Sequence, residues 1–304
     1  MSNLHHYVPQ WYLKGFCDPR TPNGREPFLW VRSVCETIVK RRAPKNLAAE
    51  NGYYDCTGPD RDKIEKELSA IESRAAFALR TYLHRPVGGR GSVPRDLSIF
   101  LAWLGARVPA FRRVFGDGWT DFLLAAKWGH DGLTPPAEYF VSLQHLKTGE
   151  SRREPVATAL PLLRSGAWTA LPDQEQYAEF IRLQAWYFDT QHLPNLTWIL
   201  LTAPTKHSFI VSDRPLVWFI PGQGYADSPA ALRYPGVEVT VPLDREHVLL
   251  GLPIEAQPPT SVALWQINVR TACFAERFVA GASADAINEA LDRLSRLPLA
   301  PIHP

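Results

Sequence analysis

Two adjacent histidines, His5 and His6, lie near the start of the sequence, and Gln10 follows them closely. An imidazole ring can act as a general base or bind a metal ion near neutral pH. A proline and a run of aromatic residues come next, and this composition predicts that the segment is buried. The sequence therefore predicts that a functional site includes the amino-terminal segment, although it does not identify a reaction.

Three polar residues lie where helical periodicity calls for apolar ones: Arg107, Gln184 and Asn268. An unpaired buried charge costs several kcal/mol, so Arg107 needs a carboxylate, a carbonyl or an anionic ligand. One such residue is usually a satisfied polar group of the core. Three of them on separate helices predict a shared polar pocket, with a buried hydrogen-bond network that only fixes the fold as the alternative.

Two carboxylates can contribute to the same pocket. Asp213 follows a predicted strand and precedes Arg214 and Pro215, a position typical both of catalytic carboxylates and of ordinary turns. Glu72 lies on the edge of a strongly amphipathic helix predicted over 60–83, where it can lean toward the pocket. The candidate catalytic residues are thus His5, His6, Glu72, Arg107 and Asp213, and the candidate substrate-binding residues are Gln10, Gln184, Arg214 and Asn268.

Periodicity also predicts the elements that must hold these residues. Further helices are expected from 92, at 119–127, at 136–147, from 173, where Asp173 and Gln176 predict a capping box, and at 261–275 and 284–294. Strands are expected at 28–31, 37–39, 197–202, 208–212, 237–241, 247–251 and 278–280. Because βαβ units are not apparent, we predict an α+β fold in which long amphipathic helices pack on a mostly antiparallel sheet.

The same patterns predict strand pairings and one connection. The runs at 28–31 and 37–39 are predicted to form one hairpin and those at 197–202 and 208–212 another, and the runs at 237–241 and 247–251 make a further pair of strands around a short connection. The stretch around 148–172 mixes Gly, Pro, Arg and Ser, and we interpret it as an internal connection within a single domain over residues 1–304.

Composition limits the function classes. With 33 basic and 31 acidic residues, the chain has no overall charge that would favour tight non-specific binding to nucleic acid. The four cysteines include no C-x-x-C pair, which argues against a zinc ribbon or a redox motif. No secretory signal and no apolar run of roughly 18 residues is present. We therefore expect a cytoplasmic protein that does not associate with membranes.

Several of these motifs together resemble a large, mainly bacterial family, domain of unknown function 4238. The resemblance rests on the opening His-His-Tyr-Val-Pro-Gln motif at residues 5–10 and on the stretches 46–54, 107–109, 209–215 and 242–243. It covers nearly the whole chain and implies one domain. The family supplies no reaction, so the function must be argued from the residues.

Those residues fit more than one chemistry. Histidine, aspartate and glutamate are competent ligands for a divalent metal, with Arg107 neutralising a phosphate during phosphodiester cleavage. A metal-free hydrolase would use His6 as the base, oriented by Asp213. A non-catalytic module would instead recognise a nucleotide, a peptide or a nucleic-acid end through the same pocket.

The sequence leaves open whether a metal is bound and which oligomer forms. It lacks H-E-x-x-H, a P-loop and G-x-S-x-G. Our leading hypothesis is an intracellular hydrolase of a phosphodiester or nucleotide, acting on a small-molecule or nucleic-acid substrate. It requires His5 or His6, Arg107 and Asp213 to approach one pocket, with Glu72 close by.

Overall fold

The computed structural model describes residues 4–54, 63–85, 90–125, 140–220, 224–225, 236–254 and 264–296. The helices in this part of the chain are α1 (Gln10–Lys14), α2 (Lys63–Leu83), α3 (Arg95–Ala106), α4 (Pro109–Ala125), α5 (Val156–Arg164), α6 (Gln174–Tyr187), α7 (Leu264–Phe274) and α8 (Ala284–Arg296). A π-helical turn, Phe188–His192, continues α6.

The strands are short and pair antiparallel. They are β1 (Leu4–His6), β2 (Leu29–Ser33), β3 (Lys40–Arg42), β4 (Ala49–Asn51), β5 (Arg90–Gly91), β6 (Phe140–His145), β7 (Ser151–Pro155), β8 (Trp168–Leu171), β9 (Leu196–Thr202), β10 (Ile210–Ser212), β11 (Val217–Ile220), β12 (Gly224–Tyr225), β13 (Glu238–Pro242), β14 (His247–Pro253) and β15 (Phe278–Gly281).

These strands form sheets of different sizes. The largest has the order β12-β11-β13-β14-β9-β5, and a four-stranded sheet has the order β10-β15-β2-β3. A smaller sheet, β7-β6-β8, and the pair β1-β4 complete the described strands. Long helices packed with antiparallel sheets confirm the predicted α+β fold.

The main core lies between the helices α2, α3 and α6 and the largest sheet. On α2 the residues at helical spacing are buried as predicted, from Ile64 through Leu68 and Ile71 to Leu79. On α6 the predicted capping box is present, because the side chain of Asp173 accepts from the Gln176 backbone while the Gln176 side chain accepts from the Asp173 backbone. Of these two helices, α2 carries Glu72, a residue of the site described below.

One predicted hairpin is wrong. β9 pairs with β14, whereas β10 pairs with β15 in a different sheet. The backbone N–H groups of Ala203 and Phe209, on the connection between β9 and β10, donate to the carbonyls of Glu246 and Arg245 instead of pairing with each other. Distant partners therefore overrode the short spacing, while the hairpin of β13 and β14 is confirmed.

The predicted helix at 136–147 is also wrong where the structure describes it. Residues 136–139 lie outside the described part, and Phe140–His145 is the central strand of β7-β6-β8. Val141 and Leu143 are buried on one face, which is the two-residue period of a strand. The stretch 148–172, predicted as an internal connection, contains β7, α5 and β8 and joins a small core with Trp119 and Leu123.

Within the described residues, no helix is both long enough and apolar enough to cross a membrane. The expectation that the chain forms a single domain stays a prediction.

Candidate functional site

The amino-terminal histidines lie on β1, which is held by β4. His5 is opposite Glu50 and His6 is opposite Ala49, and the N–H of Tyr7 donates to the carbonyl of Ala48. Successive side chains of a strand point to opposite faces, so the two imidazoles enter different surroundings. His5 is buried and His6 is half-buried.

His5 has a positioning contact. Its Nδ1 accepts the backbone N–H of Tyr54 at 3.0 Å, and the two rings lie 5.5 Å apart. Because Nδ1 is the acceptor, a neutral His5 carries its proton on Nε2. This histidine therefore fixes the backbone that presents Tyr54.

His6 is the histidine with a ring nitrogen suited to proton transfer. Its Nε2 lies 3.2 Å from the carbonyl oxygen of Lys45, which can only accept, so Nε2 carries the proton. Burial lowers the pKa of His6 below its usual value, while the hydrogen bond to Lys45 and the charges of Glu72 and Glu65 oppose that change. His6 is thus neutral near pH 7, and its Nδ1 bears a lone pair.

Arg107 occupies the junction between two helices. α3 ends at Ala106 and α4 begins at Pro109, whose missing N–H prevents continuous helical bonding. The carbonyl of Arg107 accepts the hydroxyl of Tyr53 at 2.9 Å, which satisfies a group left over at the end of α3. The sequence predicted Arg107 within the helical core face, and the residue is fully buried just beyond the helix end.

The guanidinium of Arg107 is held on one side only. Its Nη1 donates to Glu72 Oε1 at 2.7 Å, and Trp11 Nε1 donates to Glu72 Oε2 at 3.2 Å. Nε and Nη2 of Arg107 are buried and have no hydrogen-bond acceptor among the described residues. These two N–H groups form one edge of the planar guanidinium, the edge that can bind two oxygens of a carboxylate or phosphate in parallel.

The hydroxyl of Tyr54 is a further donor beside this arginine. It is buried without a hydrogen-bond partner in the described part of the chain. Burial raises the pKa of Tyr54 well above its usual value, and the nearby Arg107 cation offsets part of that rise. Tyr54 therefore keeps its proton. We call His6, Tyr54, Glu72 and Arg107 the amino-terminal cluster.

Asp213 lies in an adjoining set of residues. It is fully buried, and its Oδ1 accepts the backbone N–H groups of Glu276, Arg277 and Phe278 at 3.1 to 3.2 Å. Burial raises its pKa above the usual value, against the lowering effect of these three bonds. Asp213 thus anchors the turn between α7 and β15.

Tyr7 and Tyr53 stand between the two sets. Their rings lie 5.7 Å apart, with Tyr53 bonded to the Arg107 carbonyl. Tyr7 is next to Asp213 and Arg277, and burial raises its pKa to about 12. The structure therefore brings His6, Glu72 and Arg107 together, whereas the hydrogen bonds described for the Asp213 side chain run to the 276–278 backbone.

The remaining predicted residues lie in several places. Arg214 donates to Glu276 at 2.9 Å and packs over the Phe274 ring, so it belongs with Asp213. The side chain of Asn268 accepts the backbone N–H of Ile210 and donates to the carbonyl of Ser208. It therefore joins α7 to the start of β10 and to the residues just before it. These two bonds are those of a structural bridge, and a role for Asn268 in substrate binding stays a prediction.

Gln10 and Gln184 are less closely connected with the cluster. Gln10 is half-buried at the start of α1, next to Trp11, which binds Glu72. Gln184 is half-buried on α6, although periodicity predicted a position on the buried face. The hydrogen bonds described for the amino-terminal cluster involve neither glutamine.

Sequence reasoning missed Trp11, Tyr53 and Tyr54 as members of the site. The available signal was the pair of tyrosines directly after Gly52, which has a positive φ of 67°. Glycine adopts that conformation readily, so the chain can turn sharply there and direct the tyrosines inward. Tyrosine is also a common core residue, and the pattern alone does not separate the two roles.

No group of three or more His, Cys, Asp or Glu side chains within the described ranges is arranged to hold a metal ion.

Comparison with known proteins identifies a family without assigning a reaction. No curated protein and no solved structure matches the chain. A family described as "Protein of unknown function (DUF4238)" matches residues 4–285, which include both sets of residues described above. Since this match covers most of the sequence, the chain belongs to the DUF4238 family.

Proposed function

We propose that this protein is an intracellular hydrolase of a phosphodiester or nucleotide substrate and that the amino-terminal cluster is its active site. The observation that carries the proposal is the buried edge of Arg107, where Nε and Nη2 have no acceptor in the described residues. An unsatisfied buried donor is costly, and an oxyanion held by both N–H groups would satisfy the edge.

Glu72 is assigned a positioning role. Its two oxygens are occupied by Arg107 and Trp11, so it fixes the plane of the guanidinium and is not available as a base. The bond from Nη1 of Arg107 to Glu72 leaves the edge formed by Nε and Nη2 to bind an anion. Glu65 on the same helix is exposed, so solvent screens its charge more than that of the buried groups.

His6 is assigned the role of general base. With its proton on Nε2, the Nδ1 lone pair accepts a proton from water as the water attacks phosphorus. The bond from phosphorus to the leaving oxygen then breaks, and the protonated imidazole returns the proton to that oxygen. Asp213 does not orient this histidine, because its Oδ1 binds the 276–278 backbone and its buried Oδ2 has no hydrogen-bond partner among the described residues.

The proposal is tested by hydrolysis of bis(4-nitrophenyl) phosphate and of nucleotides, with and without Mg²⁺ or a chelator. Arg107→Lys keeps the charge but removes the paired N–H edge, and His6→Gln removes the base. We expect each change to lower kcat/KM by about 100-fold or more. Activity should rise with pH through the lowered pKa of His6, because the neutral ring is the base.

Arg74→Lys is the matched control, since Arg74 forms an exposed ion pair with Asp96. Melting temperatures establish that each variant is folded. Absence of turnover on every phosphoester under all metal conditions, or unchanged turnover in Arg107→Lys, would contradict the hydrolase proposal.

A second candidate is a binding module that recognises a nucleotide, peptide or nucleic-acid end without turnover. It is favoured by the hydrogen bonds that occupy both oxygens of Glu72 and one oxygen of Asp213, which leave His6 as the one candidate base among the described residues of the cluster. Phosphate binding that depends on Arg107, in a protein without turnover, would select this candidate.

A further inference from the structure

We propose that Tyr54 is a specificity-determining residue whose hydroxyl binds a third oxygen, so that the site takes a terminal phosphoryl group in preference to a carboxylate. This inference rests on the proposed function and narrows its substrate class. It concerns a residue that the reasoning from the sequence did not assign to the site.

Tyr54 lies near Arg107 and is held by one contact to its own backbone and by the contacts of the preceding residue. His5 Nδ1 accepts the Tyr54 N–H at 3.0 Å. The preceding residue, Tyr53, bonds the Arg107 carbonyl at 2.9 Å, and the rings of Tyr53 and Tyr54 lie 4.8 Å apart in an edge-to-face arrangement. Tyr54 is therefore fixed next to the residue whose guanidinium edge binds the anion.

Tyr54 and Arg107 both have buried hydrogen-bond donors that no described residue accepts. The Tyr54 hydroxyl and the Nε and Nη2 groups of Arg107 are all buried, and none has a hydrogen-bond partner among the described residues. A buried hydroxyl without a partner is uncommon in folded proteins. Three such donors on two adjacent residues indicate a ligand with at least three acceptor oxygens.

Anions differ in the number of oxygens that they offer. A carboxylate has two, and the paired edge of Arg107 is sufficient for both. The terminal phosphoryl group of a nucleotide has three non-bridging oxygens, and an internal phosphodiester has two. The third donor therefore favours a terminal phosphoryl group over both of the other groups.

This arrangement also gives the paired histidines separate tasks. His5 is a positioning residue, because it holds the Tyr54 backbone, whereas His6 provides the base. Replacing His5 should therefore disturb phosphate recognition through Tyr54.

The test compares inorganic phosphate with acetate in calorimetric titrations of the wild-type chain and of Tyr54→Phe. We expect wild type to bind phosphate at least tenfold more tightly than acetate. The Phe variant should lose about tenfold in phosphate affinity and keep its acetate affinity, because only the third donor is removed. Tyr82→Phe, which changes a buried tyrosine near the end of α2, is the matched control.

A purely structural role predicts a different result. If the Tyr54 hydroxyl contacts no ligand, its removal should leave both affinities unchanged, and the melting temperature should stay the same or rise. That outcome, with Arg107→Lys still losing phosphate, would overturn the inference about Tyr54 and leave the proposed function intact. An equal loss for phosphate and acetate would also overturn it, and a wild-type chain that binds neither anion would contradict both proposals.

Discussion

Arg107 and Asp213 are both fully buried charged residues, and each is bound on one side only. Asp213 Oδ1 accepts three backbone N–H groups while Oδ2 has no hydrogen-bond partner among the described residues, and Arg107 has one edge bound and one edge without an acceptor there. Helical periodicity predicted that Arg107 is buried. It could not assign Glu72 as the acceptor, because Glu72 comes from a separate helix and reaches the arginine only in the folded chain, where Trp11 donates to its other oxygen.

We expect Asp213 to stabilise the fold mainly through its acceptor oxygen and less through its negative charge. Asp213→Ala leaves three amide N–H groups without their acceptor, one of them buried and two part-buried, and should lower the free energy of unfolding by about 2–3 kcal/mol. Asp213→Asn keeps an acceptor oxygen and should cost far less. Urea unfolding of the two variants measures the difference, and equal losses in both would contradict the anchoring role.

The sign of the pH effect follows from the raised pKa of Asp213. A folded-state pKa above the unfolded value gives a contribution to stability that is complete below the unfolded pKa and lost as pH rises through the folded one. As pH rises through the folded-state pKa of Asp213, wild type should therefore lose stability relative to Asp213→Asn, and urea unfolding at several pH values measures this loss.

At the scale of elements, the sequence predicted features that depend on neighbouring residues, but it did not predict which distant strands pair. The stripe of α2 and the capping box of α6 depend on residues a few positions apart, and both were predicted. The partners of β9 and β10 lie elsewhere in the chain, so a short connection suggested a hairpin that the fold does not contain. Phe140–His145 shows a related error, since a short apolar run fits either period.

The largest sheet gives an element-level test at Trp198, which has a glycine opposite it on each neighbouring strand. A Cβ added at Gly251 would lie 2.9 Å from the ring of this buried tryptophan, whereas one at Gly91 would meet nothing within 4 Å. Gly251→Ala should therefore lower the free energy of unfolding by about 1–3 kcal/mol. Gly91→Ala is the matched control and should be close to neutral.

Thermal and urea unfolding of both variants measure this contrast. Equal stability of the two glycine variants would show that the ring of Trp198 is not packed against β14 as described.

At the scale of the whole molecule, the amino-terminal segment is a structural part of the site. β1 carries both histidines, α1 supplies Trp11 to Glu72, and Tyr7 lies near Asp213 and Arg277. The opening motif predicted that the segment is buried and contributes to a site. The sequence left open whether Asn268 and Asp213 belong to the site or only fix the fold, because their backbone partners are visible only in the structure.

The central claim is that the buried edge of Arg107 binds a phosphoryl group. A crystal structure of the chain with inorganic phosphate tests it most directly. We predict two phosphate oxygens at about 2.8 Å from Nε and Nη2 of Arg107, with Glu72 still bound to Nη1. A protein carboxylate or carbonyl occupying that edge, with phosphate bound elsewhere or not at all, would contradict the claim.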